Sequence, residues 1–186
     1  MNTTTQATCQ PPAPSFIGSW WGRSLSRPEP NCALIFAHAK EVFSADRRAE
    51  MQRTLDAFTI AYIECALWSS TDNSDESGGD PLDKNYSIED ISDEALARIV
   101  ADCARFQLAY AELLDATDDA TKGEYANGRW TRDELAGHDF WLTRNGHGCG
   151  FWDRSLGDVG DKLSKASNSF GSCGLYVGDD GKLYVG

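Results

Sequence analysis

The chain is short of nearly everything that announces chemistry. Among its 186 residues are three histidines and six cysteines, and the cysteines, at 9, 32, 65, 103, 149 and 173, stand more than twenty residues apart. No Cys-x-x-Cys pair is present, which excludes zinc ribbons and thioredoxin-like redox centres. No serine or cysteine elbow and no second carboxylate at a recognisable spacing completes a nucleophilic site. No apolar run approaches the ~20 residues of a membrane span, and Met1 to Gln6 has neither the basic start nor the apolar stretch of a signal peptide. Scattered thiols of this kind pack as small hydrophobes in a reducing compartment. The expectation is a cytoplasmic protein, in whatever cell makes it, that meets no membrane and needs no metal or other cofactor.

Basic residues are also scarce, 17 against 29 acidic, for a net charge of −12. The deficit is local. Residues 1–71 carry six basic and six acidic side chains, residues 72–119 carry three and fourteen, and residues 120–186 carry eight and nine. Direct nucleic-acid binding through the acidic middle is thereby excluded, because phosphates would be repelled. What remains is ordinary for a globular chain: 41% apolar, 25% charged and 11% aromatic residues, enough to fill a core.

Residues 1–15, rich in proline and polar side chains, read as a flexible arm. Residues 16–119 read as a helical region. Within it, apolar positions predict helices over about 31–43 and 55–68, the second so apolar around its circumference, from Leu55 to Trp68, that it must be buried. An acidic loop, 71–91, is either solvated, or partner-facing through Asp72, Asp75, Glu76, Asp80 and Asp83. Its order of oxygen ligands does not match an EF-hand. Ser92 caps a helix running to about Asp115 through Leu96, Ile99, Cys103 and Phe106.

Residues 120–186 change character. Thr131-x-x-Glu134 forms a capping box. Phe140 to Arg144 alternates as a strand, and Asn145-Gly146 predicts a two-residue hairpin turn. A helix follows through Leu156, Val159, Leu163, Ala166 and Phe170, and a second hairpin joins Leu175-Tyr176-Val177 to Leu183-Tyr184-Val185 across Gly178 to Gly181. The fold class expected is α+β: a helical N-terminal layer packed on a small antiparallel sheet built as hairpin, helix, hairpin, with 16–186 forming one domain.

In the expected hairpin register His138 faces Asp153, while Trp141 and Trp152 share an outward face. Two uses follow, each with a plainer alternative. The His138–Asp153 pair is either an acid/base dyad, with Arg144 or Arg154 holding an anion, or a hydrogen-bonded clamp on the hairpin. The tryptophans form a partner-binding or base-stacking platform, or pack beneath the helices. His138 and His147 lie too far apart along the strand to share a metal.

The stretch His138 to Asp153, followed by Leu156-Gly157-Asp158 and by Leu175 to Gly181, resembles the C-terminal signature of a family of small proteins from tailed bacteriophages and prophages. Ala61 to Asp72 and Pro81-Leu82-Asp83 are similar to the same family, so the likeness spans roughly residues 55–186. It implies phage origin and brings no established enzymatic role with it. The leading functional expectation is a phage accessory protein that binds a host or phage protein through its acidic surface, inhibiting a nucleic-acid-handling or defence complex. The alternative is a hydrolase acting on a nucleotide or nucleic acid through His138 and Asp153.

Overall fold

A computed structural model describes residues 54–73, 79–121 and 129–186. The arm, the Trp20-Trp21 patch, His38 and the helix expected over 31–43 lie outside the described residues, as do Asp75 and Glu76 of the acidic loop. Helix α1 spans Ala57–Ser69 and begins on Asp56, whose carboxylate accepts from the Thr59 amide at 2.8 Å. That bond satisfies one of the amides every helix start leaves open. As its composition predicts, α1 is buried on most sides, with Phe58, Tyr62, Ile63 and Ala66 all 1% exposed or less.

Two short 3-10 turns, Leu82–Lys84 and Ile88–Asp90, lead into helix α2, Asp93–Thr121. Ser92 caps α2 as expected, its hydroxyl accepting from the Ala95 amide. The helix bends at Tyr110 (φ −122°, ψ 23°) and runs six residues beyond the predicted end. Helix α3 spans Arg132–Arg144 and opens on the predicted box: Thr131 accepts from the Glu134 amide, and Glu134 accepts from the Thr131 amide at 2.6 Å.

Here the expected first hairpin gives way to a helix. Phe140 to Arg144 forms the last turns of α3, and Asn145-Gly146 is its cap. Gly146 sits at φ 69°, its amide donates to Thr143 O, and the His147 amide donates to Leu142 O. This pair of bonds ends a helix on a left-handed glycine. Positive φ at Gly146 serves a helix cap as readily as a hairpin turn, and a five-residue apolar run has no period that separates a strand from a buried helix. The predicted register therefore does not exist.

Beyond a third 3-10 turn, Phe151–Asp153, come helix α4, Asp158–Asn168, and a hairpin of β1, Leu175–Val177, with β2, Leu183–Val185. The strands pair Leu175 with Val185 and Val177 with Leu183. The expected turn closes as Gly178 N–H donates to Lys182 O, with Gly181 at φ 76°. The α+β character stands, but among the described residues the sheet has two strands, and the core is helical. Phe58, Tyr62, Phe106, Phe140, Trp141 and Phe151 fill it, with Phe106 and Phe140 stacked at 4.0 Å between centroids. Gly137 lets α3 lie directly on α1, since a Cβ there would stand 2.2 Å from the Phe58 carbonyl oxygen.

Candidate functional site

Three turns of α3 distribute its polar side chains in different directions. Arg144, expected to hold an anion, points inward and is 4% exposed. Its guanidinium donates to Gly171 O at 2.8 Å, Phe170 O at 3.1 Å, Tyr62 Oη at 2.9 Å and Asp102 at 3.1 Å. These four hydrogen bonds tie the fork to three parts of the protein interior, so Arg144 braces the fold. Burial, opposed by the Arg144 charge, holds the Tyr62 phenol well above its ordinary range and hence protonated.

Trp141 is likewise internal, 1% exposed, with its indole N–H donating to Ser69 Oγ at 2.7 Å. Trp152 is 53% exposed on the 3-10 turn after α3. The two tryptophans therefore do not make one platform. A helix carries residue 141 into the core, where a strand would have turned it out.

His138 and Asp153 are not assembled as a dyad either. Asp153 is exposed on the 3-10 turn. The residue that reaches α3 from that turn is Arg154, which makes a two-pronged pair with the fully buried Asp139 at 2.8 and 3.0 Å. His138 packs its ring on Trp130 at 4.7 Å, and its Nε2 is buried with no hydrogen-bond partner among the described residues. Burial above all, and then the Arg154 charge, lower its pKa against the opposing pull of Glu134. An orienting carboxylate would do the reverse. Among the described residues no group of His, Cys, Asp and Glu is placed to hold a metal ion.

What the structure does build around His138 is a cleft of about 670 Å³. One wall comes from α1 and the segment after it, with Glu64, Trp68 and Asp83; the other comes from α3 and its lead-in, with Arg129, Trp130 and His138. Leu142, Cys65 and Cys149 also line it. Burial first, with Asp139 and Cys149 adding to it, pushes the Cys65 thiol up to about 12, so it is a lining group and no nucleophile near neutrality. Trp68, assigned by periodicity to the buried face of its helix, is 61% exposed. The signal that could have found it is Glu64 one turn earlier, which marks the solvent stripe of an otherwise apolar helix.

The acidic loop lies next to this cleft. Its ends are tied together, Asp72 N–H donating to Asp80 O at 2.8 Å and Leu82 N–H to Ser70 O at 3.0 Å. Asp80 and Asp83 are exposed and Asp72 is half-buried. At the far end of α2, Glu112, Asp115, Asp118 and Asp119 are exposed. Arg132, at the start of α3, pairs with Asp115 at 2.7 Å and Asp118 at 3.9 Å, bringing this acidic end beside Trp130. No helix among the described residues is long and apolar enough to cross a membrane. No protein-family model, curated protein or solved structure matches the chain.

Proposed function

We propose that the protein acts by binding, engaging a basic surface of a host or phage protein in the host cytoplasm through its acidic face. One observation carries the reading: of the described acidic residues between 72 and 119, Asp102 alone is buried, and the others stand at or near the surface with few cations among them. Of the three basic residues in that span, Lys84 is paired with Asp80 and Arg105 with Asp102. Such a face steers a positively charged partner and repels nucleic acid.

The family resemblance suggests the biological setting, a phage accessory factor that inhibits a nucleic-acid-handling or defence complex by occupying the surface where phosphates would lie. A hydrolase reading finds no support in the placement of His138, Asp153 and Arg144.

The test is capture of partners from infected-cell lysate with two multiple variants. One carries Asp72→Asn, Asp75→Asn, Glu76→Gln and Asp80→Asn; the other carries Glu112→Gln, Asp115→Asn, Asp118→Asn and Asp119→Asn. At least one set should weaken capture about tenfold or more, the equivalent of ~1.4 kcal/mol. Capture unchanged by both sets would overturn the proposal.

A further inference from the structure

The cleft between α1 and α3 has a size and a lining that the acidic face alone does not explain. At about 670 Å³ it falls within the range of ligand sites, roughly 300–1,000 Å³. Its charges are unevenly committed. Arg154 is held by Asp139, while Glu64 and Asp83 have no ion-pair partner among the described residues. Burial and the neighbouring Arg154 keep His138 uncharged near neutrality, so it adds no positive charge. The remaining cation, Arg129, already lies over the Trp130 ring, 5.6 Å from its centroid. The Trp68 ring, 61% exposed, is the large aromatic surface left open, and Glu64 stands one helical turn from it.

An exposed indole flanked by two uncommitted carboxylates suits a flat organic cation. A guanidinium stacks on the ring face and donates to carboxylates with its edge. We propose that the cleft takes an arginine side chain presented by a peptide, its guanidinium lying on Trp68 and donating to Glu64 and Asp83. Glu64 and Leu67 also line an adjoining groove of about 410 Å³ with Ile60, Tyr86 and Ile88, which gives apolar residues beside the arginine a seat. That groove favours a peptide over a free guanidinium compound. The assignment rests on the binding reading only in taking the ligand to be a protein segment, and it names a surface distinct from the multiple variants above.

The full chain would be titrated at low ionic strength with the acetylated, amidated peptide Gly-Leu-Arg-Leu-Gly, with the same peptide carrying citrulline for arginine, and with agmatine. Tryptophan fluorescence and calorimetry report binding. The arginine peptide should saturate, and the uncharged citrulline peptide should bind about tenfold more weakly or worse. Trp68→Leu and Glu64→Gln should each cost a similar factor, whereas Trp68→Phe, which keeps an aromatic face, retains most of the binding. Arg129→Gln should strengthen it by removing a like charge. Because Trp68 and Glu64 are exposed, the variants should melt with the wild type, which separates lost binding from lost folding.

Equal binding of the citrulline peptide, no saturation by ~10 mM (a contact weaker than ~3 kcal/mol), or indifference to Trp68→Leu overturns the proposal. Agmatine binding as tightly as the arginine peptide overturns the peptide assignment. Peptide binding that fails while the acidic variants still lose partner capture sinks the cleft and leaves the acidic face standing.

Discussion

Single residues carry much of the specification in α3. Gly137 is the point where two helices touch without side chains between them, and a methyl group there would overlap the Phe58 carbonyl. Gly137→Ala should therefore destabilise the fold by roughly 1–3 kcal/mol despite raising helix propensity, as chemical denaturation would show. Arg144→Leu removes the cation from a buried set and leaves Asp102, 7% exposed, with the half-buried Arg105 as its remaining ion-pair partner. A loss of about 3 kcal/mol is expected in the same measurement, at the low end for a broken buried pair because Arg105 still offsets the carboxylate.

His138 sets a pH dependence with a definite sign. Unfolded, its imidazole protonates around the ordinary 6.5, while in the folded chain burial and Arg154 delay protonation to lower pH. Between those two pH values the unfolded chain binds more protons, so this contribution is whole above about pH 7 and is lost as pH falls below 6.5. His138→Phe keeps a ring against Trp130 and removes the titrating group. Its stability relative to wild type should rise steadily as pH is lowered from 7 to 5, and a constant difference would count against the assignment.

At the scale of elements, α3 is delimited by two devices that the sequence displays in full. Thr131-x-x-Glu134 closes the N-terminus, and Gly146 ends the helix in the left-handed region. Thr131→Ala should cost about 1 kcal/mol through the lost cap. Gly146→Ala should cost roughly 1–2 kcal/mol, since the position demands positive φ; it is open to solvent, with nothing within 4 Å of a built Cβ. Both effects should appear as shifts in denaturation midpoint with an unchanged slope.

The same element shows where local reasoning stopped. The box, the glycine and the basic Arg144 in the last turn together mark a thirteen-residue helix. Read from Phe140 onward, however, the segment offers only a short apolar run beside Asn-Gly, and that evidence fits a hairpin equally well. By contrast α1, α2 and the terminal hairpin were legible. The two helices have apolar positions sustained over several turns, and the hairpin has matched Leu-Tyr-Val triplets around a glycine-bounded turn.

At the scale of the whole molecule, the acidic surface among the described residues runs up to one exposed aromatic ring, that of Trp68. Acidic side chains collect on the 71–94 segment and the far end of α2, while exposed indoles stand at Trp68 and Trp152. If the acidic face is the interface, partner association should slow markedly between 50 and 300 mM salt while dissociation changes little, because screening acts on long-range steering. A salt-independent association rate would point to an apolar interface.

The amino-acid order alone determined the mixed α+β class, the capped starts of α2 and α3, the closing hairpin, and the local concentration of negative charge. These depend on periodicity, caps and composition within a few residues. Tertiary structure decided which side chains meet. It turned Trp141 and Arg144 into the core, gave Arg154 rather than Asp153 to α3, and opened a cleft between Trp68 and Trp130, residues 62 positions apart. Contacts of that range depend on how helices pack, and here the packing hangs on the absence of a side chain at Gly137, whose meaning appears only once Phe58 lies against it.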